Sequence, residues 1–455
     1  MYKERSITSS VDIDELICKE CNEICIAKRF QQNFKNWTSG NNDIDKIIQD
    51  SQLSDHYETK KALEWIPYDR FHNIKYIAKG GFGKVYKANW IDGPIDKWSK
   101  KHNNWIRKNN KDVALKKLNN SKKFSLEFMS EIVSHHKLTL NTIGAGVINL
   151  YGITQDPETK DYMMVLDYAE KGSLRNYLDK YYNKLSWYDK IHYLCKIAFG
   201  IDHIHDNKII HRDLHVGNIL LTDSFIRDIY ITDMGLCILA NYNASEITKE
   251  KVYGVLSYIA PEILRGHNYT EASDIYSFGI IMYEMISGLP PYHDLSHDNN
   301  LAIKICQGYR PKFNIKVPQL IVHLIKRCLD ANPLNRPTAT EIKKILMQWW
   351  VGFNNQTELQ DQIREADEIN KKLSTNRIPS TSLELSYKTH SEAIYTSRLL
   401  DFENLPEPKN SDDYYEHYDN IVSMEYLESQ QIDISQLKFN KDEILNNEFK
   451  GGDNI

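Results

Sequence analysis

Residues 209–220 read IIHRDLHVGNIL, and this stretch is the most informative about the fold. The loop between its two apolar runs holds four polar side chains that rarely occur together, those of His211, Arg212, Asp213 and Asn218. Twenty residues after Asp213, the segment YITDMGL carries Asp233 at the end of another apolar run. Carboxylate and amide oxygens can hold a divalent cation. We therefore expect Asn218 and Asp233 to be metal ligands in one site.

A glycine-rich turn lies upstream of this loop, between two strand-like runs. Its sequence, IAKGGFGKV, covers residues 77–85. Backbone N–H groups in such a turn can approach phosphates because glycine has no Cβ. Glycine-rich turns also occur in ordinary hairpins, so the motif alone is weak support for nucleotide binding.

An inward-pointing lysine follows the turn. The run VALK at residues 113–116 predicts a buried strand ending in Lys116, whose charge needs a partner. Glu131, on the helical stretch FSLEFMSEIVSHHKL, is the expected partner, and Glu127 one turn earlier is the alternative.

Together these motifs resemble those of the protein kinase superfamily, and in detail those of the tyrosine-kinase-like group of serine/threonine kinases. The resemblance covers residues 71–350 and includes YIAPE at 258–262, DIYSFG at 274–279 and NRPT at 335–338. Each motif is weak or moderate, but the ordered set is specific.

The patterning of the chain predicts a bilobal α+β fold. Strand-like runs such as DYMMVLDYA come first, and helical patterns such as WYDKIHYLCKIAFGIDHIHD follow. We expect a small, mostly β N-lobe over residues 71–168 and a larger helical C-lobe over residues 169–350. The flanks are expected to be largely disordered: a polar, cysteine-containing segment at 1–66, and a helix followed by a disordered tail at 351–455.

The resemblance implies transfer of the γ-phosphoryl group of ATP to a protein hydroxyl, with Mg²⁺ or Mn²⁺ as the metal. Lys116 would hold the α and β phosphates, and Glu131 would anchor Lys116. Asp233 and Asn218 would bind the metal, and Asp213 would accept the proton of the substrate hydroxyl.

The same resemblance implies an adenine pocket closed by apolar side chains from both lobes. Leu166 would be the gatekeeper, and backbone groups of Asp167 and Ala169 would bond adenine. The remaining residues implied at the nucleotide are Ile77, Ala78, Gly80, Gly81, Phe82, Gly83, Val85, Ala114 and Leu220. Outside the pocket, Arg336 would pair with Glu262, and Asp274 would cap the backbone of the catalytic loop.

Four positions depart from the family pattern. Ala78 replaces the first loop glycine, and Met234 replaces the usual phenylalanine after the metal-binding aspartate. His215 stands where serine/threonine kinases carry a lysine near the γ-phosphate, and Val255 replaces their activation-segment threonine. The SYIAPE context at 257–262 favours a serine or threonine acceptor, the missing lysine weakens that inference, and tyrosine is the alternative acceptor. A nucleotide-binding pseudokinase or signalling scaffold with little or no transfer is the alternative.

Regulation is expected through Arg212. An arginine beside the catalytic aspartate can pair with a phosphate on the segment between residues 235 and 260. Thr248 and Tyr253 are the first candidates for that phosphate, followed by Ser245.

Composition limits the setting and the partners. The net charge of −5 gives no general excess of basic charge, so nucleic acid is not an expected partner. A secretory signal and an apolar run of about 18 residues are both missing from the sequence, and seven scattered cysteines fit reduced thiols. We expect a signalling protein of the cytoplasm or nucleus, with a protein substrate and further partners bound through the two flanking segments.

Two further features have alternative interpretations. Cys18, Cys21 and Cys25 have the spacing of zinc ligands, but a fourth ligand is not evident nearby and His56 is distant in sequence, so cysteines on an amphipathic helix are favoured. The insertion at 90–111 is basic and carries Trp90, Trp98 and Trp105. It predicts a hairpin or surface loop whose tryptophans pack on their own lobe, ahead of a nucleic-acid or partner surface.

Overall fold

The structure is a computed structural model that describes residues 17–411, apart from 19–20, 22–24, 55, 58, 60–61, 80–82, 119–125, 141–145, 224–228, 240–251, 356 and 376–387. Strands dominate up to residue 167. They are β1 (Glu64–Trp65), β2 (Phe71–Lys79), β3 (Gly83–Trp90), β4 (Ile95–Ser99), β5 (Asn104–Arg107), β6 (Lys111–Leu118), β7 (Leu150–Gln155) and β8 (Tyr162–Asp167). The helices of this part are α1 (Ile26–Gln31), α2 (Asn42–Leu53) and α3 (Leu126–Leu140).

Helices dominate after residue 167. They are α4 (Leu174–Tyr181), α5 (Trp187–Asp206), α6 (Pro261–Leu264), α7 (Glu271–Ser287), α8 (Asn299–Cys306), α9 (Gln319–Cys328), α10 (Ala339–Val351) and α11 (Glu358–Thr375). The short strands among them are β9 (Gly172–Ser173), β10 (Ile209–Ile210), β11 (Ile219–Leu221), β12 (Ile229–Ile231), β13 (Ile238–Leu239), β14 (Val252–Gly254) and β15 (Arg398–Leu400). The predicted bilobal α+β fold is confirmed.

One six-stranded sheet organises the small lobe, in the order β1-β7-β8-β6-β3-β2. Its pairs are antiparallel except for β1 with β7. β6 is central: it pairs with β3 along its whole length and with β8 on its other side. Val113 and Leu115 of β6 are fully buried, and Lys116 follows them on the strand. A core strand therefore carries the lysine into the interior.

The segment before the sheet packs against helix α3, which carries Glu131. Ile44 and Ile48 of α2 are fully buried and share an apolar cluster with Phe128 and Ile132 of α3. Helix α2 begins at Asn41, whose side chain accepts hydrogen bonds from the backbone at the helix start. The N-terminal segment is thus part of the packing that positions α3.

The insertion forms the predicted hairpin, since β4 pairs with β5 in antiparallel fashion. Trp90 is fully buried in the small lobe, and Trp98 meets Trp105 edge-on at 4.8 Å between ring centroids. Trp105 stacks on Phe30 of α1 at 4.7 Å, and the Arg29 guanidinium lies 4.1 Å from the Trp98 ring centroid. The hairpin tryptophans therefore pack on their own lobe and on α1.

The large lobe is built around α7, which is buried on nearly all sides. Two of its buried polar side chains have clear partners: Ser277 Oγ donates to the Tyr258 carbonyl at 2.8 Å, and Glu284 accepts from Tyr258 and Arg175. Because these groups are satisfied, the helix can run through an apolar core. This core supports the catalytic loop from below.

The chain after α10 also packs on the large lobe. Leu359, Ile363 and Ala366 of α11 are buried, and residues 388–409 follow the lobe surface. The predicted disorder of the tail is wrong for residues 388–409, because apolar and hydrogen-bonded contacts hold this segment. Residues 412–455 lie outside the described part. Among the described residues, no helix is both long and apolar enough to cross a membrane.

Candidate active site

The Lys116 ammonium joins the two lobes. It donates a hydrogen bond to Glu131 Oε1 on α3 at 2.6 Å and another to Asp233 Oδ1 at 2.8 Å. The predicted Lys116–Glu131 pair is confirmed, while the side chain of Glu127 lies outside the described residues. A Cβ at Gly235 would lie 3.2 Å from Glu131 Oε2, so a larger residue there would crowd this carboxylate.

Lys116 and Glu131 are buried and Asp233 is partly buried, and the three charges shift one another's pKa. Burial alone would lower the pKa of Lys116, but the Asp233 and Glu131 carboxylates raise it above its ordinary value. Burial raises the pKa of Glu131 against the attraction of Lys116. For Asp233 burial acts in the same direction, yet the Lys116 ammonium holds the pKa of that carboxyl below its usual value. Asp233 therefore stays ionised, as a metal ligand must.

Helix α7 holds the catalytic loop through Asp274. Its Oδ2 accepts from the His211 backbone N–H at 2.8 Å and its Oδ1 from that of Arg212 at 2.9 Å, so the predicted cap is confirmed. Arg212 has φ of +73° and Asp233 has φ of +68°. Both lie in the left-handed region, which costs energy for residues with a Cβ. The bonds from Asp274 help to hold this strained loop.

Asp213 and Asn218 face each other in the same loop. The Asn218 amide donates to the Asp213 carbonyl at 2.9 Å and to Asp213 Oδ2 at 3.3 Å. Because its nitrogen makes these bonds, its oxygen is the atom left for a metal. The Thr232 N–H, one residue before Asp233, donates to the Asn218 carbonyl at 2.9 Å. The two predicted ligands thus lie at the ends of the paired strands β11 and β12, Asn218 just before β11 and Asp233 just after β12, and one carboxylate with one amide oxygen suits Mg²⁺.

His215 points at the catalytic carboxylate. Its Nδ1 accepts from the Gly217 N–H at 3.1 Å, so a neutral ring carries its proton on Nε2. That Nε2 lies 3.8 Å from Asp213 Oδ2. The His215 ring therefore places a nitrogen donor where serine/threonine kinases carry a lysine. Val255, at the position of their activation-segment threonine, is buried, with 1% of its surface exposed.

Met234 fills the slot expected of the larger phenylalanine. It is 1% exposed and lies in the same apolar core as Leu138 of α3. The Cys237 thiol lies 3.4 Å from its sulfur. A flexible thioether can complete such a core.

Three of the residues implied at adenine, Ala114, Leu166 and Leu220, share one apolar cluster. Ala114 pairs with Leu166 across β6 and β8, and both contact the apolar cluster that Leu220 packs against. Ala78 pairs with Val85 across β2 and β3. Ile77 is 45% exposed, on the open side of the sheet. Gly80, Gly81 and Phe82 lie outside the described residues, and Gly83 begins β3.

The backbone that would bond adenine is partly engaged. The Asp167 N–H donates to the Asn149 carbonyl at 3.0 Å, and the Ala169 carbonyl accepts from the Gly172 N–H at 3.1 Å. Asp167 would therefore offer adenine its carbonyl oxygen, and Ala169 its N–H. These two backbone groups, one acceptor and one donor, lie two residues apart in the chain.

Arg212 lies near one of the three candidate phosphorylation sites. Its guanidinium carbon is 4.3 Å from the Tyr269 ring centroid, and the Tyr269 hydroxyl donates to the Tyr253 carbonyl at 3.2 Å. Thr248 and Ser245 lie outside the described residues. Elsewhere in the lobe, Arg336 forms the predicted two-bond pair with Glu262, at 2.6 and 2.8 Å.

Two groups were missed by sequence reasoning. His56 lies with Cys18, Cys21 and Cys25, so that one potential ligand atom of each falls within 4.8 Å of the others. The cysteines are not spaced along an amphipathic helix, because α1 begins only after Cys25. The second group is Ser397, whose hydroxyl donates to Asp213 Oδ2 at 2.6 Å. The cysteine spacing is the one local signal for the first group, since His56 lies 38 residues from Cys18, and Ser397 lies 184 residues from Asp213.

The comparison with known proteins agrees with this geometry. The family model for protein tyrosine and serine/threonine kinases matches residues 71–346. Tyrosine-protein kinase SPK-1 of Girardia tigrina is 28% identical over 297 residues, which are 63% of this chain and 55% of that protein. RGS domain-containing serine/threonine-protein kinase A of Dictyostelium discoideum is 28% identical over 307 residues, or 66% of this chain and 23% of that protein.

A plant protein is similar to this chain to a comparable extent. L-type lectin-domain containing receptor kinase S.1 of Arabidopsis thaliana is 29% identical over 297 residues, 61% of this chain and 41% of that protein. The chain thus matches only about half, or less, of the length of these relatives. Since the family model covers more than half of the chain, the chain belongs to the protein tyrosine and serine/threonine kinase family.

Proposed function

We propose that this chain is an ATP-dependent protein kinase that transfers the γ-phosphoryl group to a serine or threonine hydroxyl in intracellular signalling. One observation carries the proposal. The buried Asp213 carboxylate accepts a hydrogen bond from a serine hydroxyl at 2.6 Å. A general base must lie within hydrogen-bonding reach of the proton that it removes. Asp213 meets that requirement.

The neighbouring residues supply the remaining parts of phosphoryl transfer. Lys116 would hold the α and β phosphates, with Glu131 fixing its position. Asp233 and Asn218 would hold Mg²⁺, or Mn²⁺ in its place, which neutralises charge on the phosphates when bound. The Nε2–H group of His215 would donate to the transferring phosphate, where related kinases use a lysine.

The buried position of the Asp213 carboxylate favours the short side chain of a serine or threonine as acceptor. The Ser397 hydroxyl reaches Asp213 while the three following residues pair with β14. A tyrosine hydroxyl extends several bonds farther from its backbone, so it would overshoot the carboxylate in this arrangement. This supports serine or threonine as the acceptor.

A transfer assay tests the proposal. Wild type and Asp213→Asn are incubated with γ-labelled ATP, Mg²⁺ and a generic protein substrate, and labelled residues are identified after acid hydrolysis. We expect phosphoserine or phosphothreonine with wild type and none with the variant. ATP binding without transfer by wild type would contradict the proposal and favour the pseudokinase alternative. Labelling on tyrosine alone would contradict only the hydroxyl preference.

The proposed setting is the cytoplasm or nucleus, with partners bound through the flanking segments. None of the seven cysteines, all of which are described, forms a disulfide, which suits a reducing compartment. Microscopy of a fluorescent fusion tests this, and a secreted product would contradict it.

A further inference from the structure

The segment after residue 388 runs along the large lobe to Asp213. Residues 398–400 form β15 and pair in antiparallel fashion with β14, so that Arg398 faces Gly254 and Leu400 faces Val252. Leu400 is 5% exposed and belongs to the core of the large lobe. Strand β15 of the same chain thus lies beside β14, and Gly254 of β14 borders Asp213.

Hydrogen bonds fix the segment before the strand. His297 contacts the segment through its ring. Its Nε2–H donates to the Tyr292 carbonyl at 3.3 Å, and its Nδ1 accepts from the Ile394 N–H at 3.2 Å. The Arg398 guanidinium donates to the His297 carbonyl at 2.6 Å. The Tyr395 hydroxyl donates to the Pro291 carbonyl at 3.0 Å. Backbone and side chains both hold this path.

The segment is anchored on its far side as well. The Lys409 N–H donates to the Cys306 carbonyl at 2.9 Å, and the Glu407 carboxylate pairs with the Arg265 guanidinium. Residues up to Lys409 belong to the same compact unit as the lobes. The anchors place one hydroxyl at the base: Ser397 Oγ lies 2.6 Å from Asp213 Oδ2 and 3.4 Å from His215 Nε2.

Gly254 allows this close arrangement. A Cβ there would lie 3.3 Å from Asp213 Oδ1 and 2.7 Å from Ile259, and its φ of +148° is rarely adopted by residues with a side chain. The strand that pairs with β15 can therefore run directly beside the base.

We propose that Ser397 is an intramolecular phosphorylation site, modified by the catalytic centre of its own chain. This rests on the proposed kinase function and adds a specific acceptor to it. The anchored segment gives the hydroxyl a high effective concentration at Asp213, which favours transfer within one molecule.

The chemistry balances with a nucleoside triphosphate as co-reactant. The Ser397 oxygen forms a bond to the γ-phosphorus, and the bond from that phosphorus to the oxygen bridging the β and γ phosphates breaks. The hydroxyl proton passes to Asp213 Oδ2. The products are phosphoserine, the nucleoside diphosphate and a proton that returns to solvent.

The product no longer fits its position. A phosphoserine has no hydroxyl proton to donate to Asp213, and its two negative charges would lie beside that carboxylate. The repulsion would release the segment and open the cleft to other proteins. The wild type should therefore show a lag with an external substrate, which disappears after preincubation with ATP.

The first test follows the site of labelling. The full chain, first treated with a phosphatase, is incubated with ATP and Mg²⁺ and mapped by mass spectrometry at several protein concentrations. Ser397 should be labelled with a rate constant that does not depend on concentration. In Ser397→Ala this label should be absent, and preincubation with ATP should no longer remove the lag. Thr396→Ala, which removes an exposed neighbouring hydroxyl, should behave as wild type.

A mixing experiment separates transfer within one molecule from transfer between molecules. An isotopically heavy Asp213→Asn chain is incubated with light wild type. We expect label on light Ser397 alone, and equal labelling of heavy Ser397 would overturn the proposal. A generic substrate labelled while Ser397 stays unmodified would also overturn it but leave the kinase function standing. If neither is labelled, the kinase function itself fails.

A second inference comes from a different part of the molecule, the cluster of Cys18, Cys21, Cys25 and His56. The Cys18 sulfur lies 3.3 Å from His56 Nδ1, and all four potential ligand atoms lie within 4.8 Å of one another. Zinc bonds of about 2.3 Å to sulfur and about 2.0 Å to nitrogen give tetrahedral ligand separations of roughly 3.5 to 3.8 Å. The cluster needs little movement to reach them.

The backbone also prepares this arrangement. The Ile26 N–H, at the start of α1, donates to the His56 carbonyl at 3.1 Å. This bond joins the cysteine-bearing segment to the segment that carries the histidine. The structure assigns a structural zinc site with three thiolates and one imidazole, which ties α1 to residues near His56. Helix α1 in turn packs on the β4–β5 hairpin through Phe30.

Metal analysis of the purified full chain tests this site. We expect one zinc per chain, and Co²⁺ in its place should give thiolate charge-transfer absorption. His56→Gln should lose the zinc, whereas His102→Gln, an exposed histidine on the hairpin turn, should keep it. Equal zinc content in wild type and His56→Gln, or no Co²⁺–thiolate band in wild type, would overturn the assignment.

Discussion

Lys116 lies between the buried carboxylate of Glu131 and the partly buried carboxylate of Asp233, and its removal would leave both without their shared cation. Breaking a buried ion pair by removing one partner costs about 3 to 5 kcal/mol. We expect Lys116→Met to lower the free energy of unfolding by about that amount in urea titrations. Transfer should be lost as well.

A double variant identifies the cause of this loss. Adding Glu131→Gln to Lys116→Met removes one of the orphaned charges, so the double variant should be more stable than Lys116→Met alone. Strictly additive losses would show that the carboxylates do not depend on Lys116.

His135 makes the fold sensitive to acid. Burial lowers its pKa from 6.5 to about 4, and the neutral ring donates from Nε2 to the Ile148 carbonyl at 2.6 Å. Between these pH values the unfolded chain binds more protons at this residue, so stability falls as pH falls. From pH 6.5 to pH 5, we expect a loss of about 1 to 2 kcal/mol from this group.

Denaturant titrations at several pH values test the contribution of His135. His135→Gln should show a shallower fall between pH 6.5 and pH 5 than wild type, and His72→Gln, an exposed histidine, should match wild type. Identical slopes for wild type and His135→Gln would refute this assignment.

At the residue scale, sequence reasoning finds what local motifs encode. The pairing of Lys116 with Glu131 followed from a strand, a helix and a resemblance that fixed which glutamate to choose. The positions of His56 and Ser397 were not predictable, because each depends on a chain path that brings distant segments together. His56 was noticed and set aside as too distant in sequence.

Among the elements, β15 has the most direct effect on access to the cleft. Leu400 faces the core, whereas Leu399 beside it is 49% exposed, as the alternation of a strand requires. Leu400→Asp would bury a charge, so the strand should detach from β14. We expect a lower KM for an external protein substrate and the loss of the initial lag.

Leu399→Asp is the matched control, since it introduces the same charge one residue away on the exposed side. It should leave the KM and the lag as in wild type. Equal kinetics for Leu400→Asp and wild type would show that β15 does not cover the substrate site.

Elements differ in how well the sequence predicts them. The β4–β5 hairpin was predictable, because strand-forming aromatics flank a polar turn. β15 was not, since three residues give too short a pattern and its partner β14 is equally short. Its surroundings are rich in polar residues, which favoured a disordered tail.

At the scale of the whole molecule, the N-terminal segment supports α3, the helix that carries Glu131. Ile48 of α2 is fully buried against Phe128 and Ile132 of α3, which also carries Glu131. We expect Ile48→Ala to lower the free energy of unfolding by about 2 to 5 kcal/mol, as core truncations do. Transfer should slow because α3 then holds Glu131 less firmly.

Lys46→Ala, on the exposed face of α2, provides the control for this coupling. It should leave stability and transfer rate unchanged. An Ile48→Ala variant that loses stability but transfers at the wild-type rate would separate the N-terminal segment from catalysis.

The bilobal architecture was predictable at this scale because each lobe has its own hydrophobic period. The seating of both flanks on the lobes was not, since their apolar residues are sparse. Ile44 and Ile48 lie one helical turn apart in a mostly polar segment. Their burial is decided by the surface of α3 that receives them.

Asp213 is the proposed base for phosphoryl transfer. The most direct measurement is the rate of ADP formation with Mg²⁺ and an external protein substrate, in wild type and Asp213→Asn at saturating ATP. We predict that the variant binds ATP as tightly as wild type but loses at least about 100-fold in rate, the lower range for general-base catalysis. Equal rates in both proteins would contradict the role of Asp213.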